Sequence, residues 1–347
     1  MGNWLTLRGR FHSFQLHRRT ITAILLLLAA NVAAIIVCVG MGSTTISPIN
    51  VIRALFGTGD PSHSMIVFSL RMPRVLVAIM VGAALAVSGA LLQGIVRNPL
   101  TSPDIIGISG GASLGTVVFI LYFSHLSIRY MPISSIAGAF AAALLIYFFA
   151  YRGGITPLRL VLIGIGMATA LTAVTYMLIL TASFTPTAVA VKAFTFMTGS
   201  IYGVSWERDV LTLLPWLAVL LPVSFVYARH LNVQELGDDV AMSVGSTVHV
   251  KRTILLFVSV ALAGAAVAIG GAINFIGLMA PHIARKLVGP AYGGVIPVSA
   301  LIGSLVLLLS DLVARTAFLP LDIPAGVFTA AIGAPFFVYL LYRHRKS

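Results

Sequence analysis

Nine acidic residues are spread over 347 positions, and their placement decides which chemistries are open to this chain. They are Asp60, Asp104, Glu207, Asp209, Glu235, Asp238, Asp239, Asp311 and Asp322. A carrier driven by protons or sodium needs ionisable groups inside the membrane. Only Asp311 falls well inside an apolar run, and at i, i+4 from Arg315 the two can neutralise each other on one helix face. No relay of buried carboxylates follows, which argues against ion-driven transport. No Gly-x4-Gly-Lys-Ser/Thr loop occurs, so the usual phosphate cradle for ATP is missing. His-Glu-x-x-His, paired carboxylates and Gly-x-Ser-x-Gly are missing as well. No catalytic residue, cofactor or metal is therefore expected, and the chain is not an enzyme by itself. His282 has no second His, Cys or carboxylate at ligand spacing, and it reads as a helix-capping residue. The one cysteine, Cys38, has no intrachain partner.

The elements that position these residues are set by composition. Hydrophobic residues make up 59% of the chain and charged ones 9%, against about a quarter charged in a soluble domain. Mean hydropathy is +1.03. A span needs roughly 20 apolar residues, and continuous apolar runs, without the alternation of a barrel strand, predict an all-α polytopic membrane protein with about ten transmembrane helices. They are placed at 20–41, 73–95, 106–124, 132–151, 158–182, 210–228, 253–273, 274–288 (short and broken), 295–317 and 324–342. Residues 1–19 are expected to form a basic cytoplasmic arm, and 20–347 a single transmembrane domain with a cytoplasmic segment at 231–252. With both termini inside, about two thirds of the 22 Lys and Arg fall on the inner side, as the positive-inside rule requires. The net charge of +13 is thus a signature of membrane orientation, and no nucleic-acid partner is expected. Ser47–Phe56 and Thr187–Met197 read as short helices outside the spans. Arg71 and Arg74, at i, i+3, and Arg315 lie at the outer side against the charge trend; interfacial snorkelling is the plain explanation.

Residues 270–290, GGAINFIGLMAPHIARKLVGP, interrupt their own helix. Proline suits a first helical turn and not an interior, so a break is expected at Gly277 and Pro281, a restart over His282–Leu287, and a stop at Gly289. Residues 82–91 (GAALAVSGAL) and 264–273 (GAAVAIGGAI) repeat at an offset of 182, which also maps Pro99 onto Pro281 and Gly107 onto Gly289. Five spans separate the copies, so the second must run in the opposite sense. The expected architecture is an inverted repeat of helices 2–5 and 7–10, with helix breaks beside the transport pathway. Asn98, Pro99 and Gly107 should form the first break, and Gly271, Gly277, Pro281, His282 and Gly289 the second. The longest polar interruption, 231–252, carries Glu235, Leu236 and Gly237, then Ala241-Met242, then Gly245. It sketches a helix–turn–helix, either as a solvated loop or as a segment that enters a cleft on another protein.

Two runs carry a resemblance. Gly271, Ile273, Phe275, Ile276, Gly277, Leu278, Pro281, His282, Ile283 and Arg285 match the Gly-x-Ile-x-Phe-Ile-Gly-Leu-x-x-Pro-His-Ile-x-Arg signature of permease subunits of ABC importers for iron chelates, haem and cobalamin. Leu236, Gly237, Ala241 and Gly245 match that family's Leu-Gly-x-x-x-Ala-x-x-x-Gly coupling loop. The resemblance implies a second permease subunit (the same chain or a relative), two cytoplasmic ATPase subunits that alone bind ATP, and an extracytoplasmic substrate-binding protein. It gives Arg71, Arg74 and Arg315 the role of receiving acidic residues of that binding protein, which suits bidentate guanidinium. It places an inner gate near Thr156 and Pro157, where this chain lacks the small hydroxyl pair expected. The substrate expected is a ferric siderophore carried across the bacterial cytoplasmic membrane, with haem or cobalamin as family alternatives. An ion-coupled carrier or a pure membrane scaffold are alternatives of other classes.

Overall fold

The computed structural model describes residues 4–8, 13–42, 44–123, 125–150, 157–182, 187–243, 245, 247–318 and 321–344. A hairpin of β1 (Trp4–Arg8) and β2 (Ser13–His17) precedes α1 (Arg18–Gly40). The short helices α2 (Pro48–Leu55) and α3 (Pro61–Met65) follow, and a π turn over Ile66–Arg71 leads into α4 (Met72–Val96). Then come α5 (Ile108–Tyr122), α6 (Met131–Ala150), α7 (Pro157–Thr181) and α8 (Thr187–Met197). The second half runs through α9 (Leu211–Gln234), α10 (Asp238–Ser243), α11 (Val248–Gly270), α12 (Ile276–Val288), α13 (Tyr292–Thr316) and α14 (Ala325–His344).

Eight of the described helices are long and apolar enough to cross a membrane. The remaining two expected spans are the short helices α5 and α12, of 15 and 13 residues. At 1.5 Å per residue neither covers a hydrocarbon core of about 30 Å alone. Each is preceded by an irregular stretch, and such backbone is tolerated at membrane depth only under a protein cover. For the stretch before α12 that cover is the end of α8, where Ala272 N–H donates to the Phe196 carbonyl at 3.3 Å, and for the stretch before α5 it is α7, against which Gly107 lies.

Packing between the halves is reciprocal. Helix α4 lies antiparallel to α13: Ser304 Oγ donates to the Ile79 carbonyl at 2.9 Å, and Arg74 meets Asp311 nearer the start of α4. Helix α11 lies antiparallel to α6 in the same way, with Ser135 Oγ donating to the Gly264 carbonyl at 2.8 Å and Phe140 against Phe257. The two lead helices cross each other antiparallel, Val81 against Gly270 and Ser88 Oγ donating to the Ser259 carbonyl at 2.8 Å. Small residues permit these approaches, as lipid-immersed helices require. A Cβ on Gly82 would lie 2.3 Å from the Gly303 carbonyl oxygen, and one on Gly264 would lie 2.8 Å from the Ile136 Cα. Gly82 and Gly264 are the repeat partners at offset 182, so the inverted repeat is expressed in equivalent contacts.

The repeat does not extend to every landmark. Gly107 opens α5 whereas Gly289 closes α12, and Pro99 lies in a connection whereas Pro281 is inside a helix. Of the second break, Gly271 stands where expected, but the break does not extend to Gly277 and Pro281. It lies at Gly271–Phe275, and α12 runs unbroken through Gly277, Pro281 and His282. The physical reason is local. Proline removes the donor that would reach the Gly277 carbonyl, and Gln93 Nε2 donates to that carbonyl instead, at 3.3 Å. Opposite it stands Gly89, where a Cβ would be 1.9 Å from the same oxygen. His282 is accordingly a mid-helix residue packed edge-on against Phe336, not a cap.

Candidate functional site

Three groups of expected site residues fall in three places along the molecule. At the end expected to face outward, Arg74 Nε and Nη2 donate to Asp311 at 2.8–3.1 Å while Nη1 and Nη2 donate to Asp322 at 2.6 and 2.8 Å. Asp311 is fully buried, and its expected partner Arg315 is farther off, at 3.7 Å. Arg315 instead donates to the Cys38 carbonyl, and Arg71 donates to the carbonyls of Val39, Gly40 and Thr44 and to Thr44 Oγ1. Both are more than nine-tenths buried. The three outward arginines thus fasten α1, α4, α13 and the turn before α14 together. Snorkelling is not their role, and no guanidinium among them stands open to solvent.

In the middle, the two helix breaks meet across a cleft of about 1140 Å³. From the first break it takes Asn98, Leu100 and Asp104, and from the second Ala272, Asn274 and Phe275. One face of α7 completes it, including Val161, Ile165, Ala168, Thr172 and Tyr176, with Phe337 and Leu341 from α14. Gly107, at φ 90°, lets the first break come within contact of α7, where a Cβ would be 3.0 Å from the Gly164 carbonyl oxygen. Gly271, at φ 74°, would carry a Cβ 2.3 Å from the Phe196 carbonyl at the end of α8. Phe275 holds a positive φ of 67° at the start of α12, and its N–H donates to Asp104 Oδ2 at 3.1 Å. An uncapped helix start at membrane depth would leave this donor unpaired. Asp104 is the residue that sequence reasoning passed over: an acid was sought inside the spans, and this one lies between them. The cleft is mostly apolar, with amide and hydroxyl groups at intervals and one carboxylate already engaged, which suits passage of a bulky ligand better than tight capture.

At the opposite end, expected to face inward, α10 stands between Gly237 (φ 108°) and Gly245 (φ 80°). Left-handed backbone favours glycine, and neither position has an atom near an added Cβ. Val240 and Met242 are exposed apolar residues on this small helix and Leu236 is another just before it, whereas Ala241 faces inward, fully buried. Asp238 accepts from Arg97 and from Arg252. Burial alone would push its carboxyl up, but the hydrogen bonds from Arg252 and Arg97 prevail and hold it below the usual value. Glu235 is pushed the other way by partial burial, with Arg285 opposing. The segment is thus anchored on one side and apolar and open on the other. Of the expected gate, Thr156 lies outside the described residues and Pro157 opens α7. No group of three or more His, Cys, Asp or Glu able to hold a metal occurs among the described residues.

Residues 25–343 match the FecCD transport family. The chain is 45% identical over 93% of its length, and 95% of the relative's, to the probable siderophore transport system permease protein YfhA of Bacillus subtilis. It is 44% identical, over 97% of this chain and 96% of the relative, to the achromobactin transport system permease protein CbrC of Dickeya dadantii. Among solved structures, an inward-facing metal-chelate type ABC transporter superposes with a TM-score of 0.79 at 29% identity, covering 93% of this chain and 99% of the other.

Proposed function

The chain belongs to the FecCD transport family, and on that premise we propose that it is the membrane-spanning subunit of an ATP-driven importer of ferric siderophores. The observation that carries the reading is the cleft between the two helix breaks, about 1140 Å³ and mostly apolar, a size suited to a bulky chelate. Breaks of this kind beside a pathway are the expected compliant points of alternating access. Relatives with siderophore and achromobactin transport in their names support the substrate class.

The exposed faces of α7 and α14 border the cleft, and a second permease subunit, the same chain or a relative, closes the pathway from that side. Two ATPase subunits dock at Leu236, Val240 and Met242 below, and Glu235, Gly237, Ala241 and Gly245 shape that contact. An extracytoplasmic binding protein delivers cargo above. The outer arginines enter this proposal in modified form. Arg71 and Arg315 shape the docking rim from beneath, and an incoming carboxylate reaches Arg74 by exchanging with the half-buried Asp322. Both termini lie on the cytoplasmic side, by the distribution of basic residues. The test compares radio-iron uptake in cells with and without this gene, under vanadate and under a protonophore. Uptake stopped by vanadate alone supports the reading. Uptake stopped only by the protonophore sinks it in favour of an ion-coupled carrier.

A further inference from the structure

Asp238 occupies an unusual position: one carboxylate on a six-residue helix reaches both halves of the inverted repeat. Its Oδ1 accepts from Arg97, and its two oxygens accept from Arg252 Nη2 at 2.9 and 3.2 Å. Arg97 is the left-handed residue that ends α4, at φ 54°, and its Nη2 also donates to the Gln234 carbonyl at 2.6 Å. Arg252 lies near the start of α11. Helices α4 and α11 are the lead helices of the two repeats, they cross antiparallel at Ser88–Ser259, and each runs directly into one of the breaks that line the cleft. The helix carrying Asp238 is bounded by two glycines with positive φ and open space around them, so it can tilt as a unit. Its exposed apolar face and its anchored face are different faces of the same helix.

We propose that Asp238 is a positioning residue, the point through which a push on α10 is passed simultaneously to α4 and α11 and so to both helix breaks. A non-polar contact in its place would let α10 slide. A carboxylate shared between two guanidiniums fixes direction, because its hydrogen bonds hold both distance and angle. One pair at this exposure adds little to stability; what it fixes is the geometry of transmission. The inference rests on the importer reading above and adds to it the path of the motion.

The experiment uses the intact importer, assembled with its ATPase subunits in lipid nanodiscs. Spin labels are placed at Thr169 and Leu341, which line the cleft from α7 and α14; Cys38 is buried and does not take label. The distance distribution is measured without nucleotide and after trapping with ATP and vanadate. The wild type is expected to shift on trapping. Asp238→Asn should still co-purify with the ATPase subunits but lose the shift, and Asp238→Glu should recover it. In an Arg97→Gln/Arg252→Gln background, Asp238→Asn should add nothing further, the non-additivity expected of one network. A wild-type shift in Asp238→Asn overturns the inference. A wild-type importer that hydrolyses ATP with no shift overturns the coupled-importer reading itself, and the inference with it. Loss in Asp238→Glu as well, together with loss of co-purification, assigns Asp238 to the docking contact and also overturns the inference.

Discussion

Arg74 is the residue whose removal should harm this protein most. It holds two carboxylates, and Asp311, one of them, is fully buried in the packed face of α13. Replacing Arg74 by Met leaves Asp311 with Arg315 alone, 3.7 Å away. Breaking one side of a buried pair costs about 3–5 kcal/mol, because the charge left behind is uncompensated. Asp322, a quarter exposed, turns to solvent and adds little. Replacing both members, Arg74→Met with Asp311→Leu, should restore most of the loss, since an apolar substitution of the whole pair is often neutral. The assay is unfolding by dodecyl sulphate in mixed micelles, followed by circular dichroism, on the single and double variants. A single Arg74→Met variant within about 1 kcal/mol of wild type, the behaviour of an exposed pair, would refute the reasoning. It also follows that charge reversal at Arg74 reports on stability before it reports on docking, so Asp322→Asn is the better probe of the outer face.

Three further outcomes are expected. Gly89→Ala should destabilise by about 1–3 kcal/mol, the usual cost of overpacking, because the Cβ would lie 1.9 Å from the Gly277 carbonyl oxygen; an unchanged melting temperature in detergent would contradict the α4–α12 contact. An added Cβ at Gly237 or Gly245 meets no atom within 4 Å, but both hold positive φ, so Gly237→Leu and Gly245→Leu should strain only the ends of α10 and leave the spans inserted and folded while ATPase co-purification falls; a pure scaffold would lose nothing by the same assay. Glu235 has a raised folded-state value, so the folded protein holds its proton more tightly than the unfolded chain. Its contribution is then favourable at low pH and declines as pH rises from about 4.5 through the raised folded value. Glu235→Gln should flatten that slope in hydrogen-exchange protection of residues 234–243, and a slope equal to wild type would contradict the assignment.

Much of the architecture could be read from the residues because a membrane allows few solutions. Long apolar runs had to be helices, and the repeat at an offset of 182, with five spans between its copies, had to run in opposite senses. The break after α4 was legible too, since Asn98-Pro99 and Gly107 cannot continue a helix. The break before α12 was extended too far because Pro281 ordinarily ends a helix. Only the fold brings Gln93 to the carbonyl that Pro281 leaves unpaired. Charge was harder to read than shape. Asp311 was matched to Arg315 by helical spacing, but Arg74, distant in sequence, comes closer. The arginine roles taken from the resemblance likewise did not anticipate that all three side chains would be bonded within the chain. Asp104 and Asp238 were visible as acids, but their partners, Phe275 N–H and the Arg97–Arg252 pair, are set by tertiary contacts that no local pattern encodes.

The most direct test of the central claim is radio-iron uptake by iron-starved cells that lack this gene, with hydroxamate, catecholate and citrate chelates offered separately. Loss of uptake of one class, restored by the wild-type gene and not by the Asp238→Asn variant, is the predicted result. Undiminished uptake of all three chelates would contradict the siderophore assignment and turn the search to haem and cobalamin.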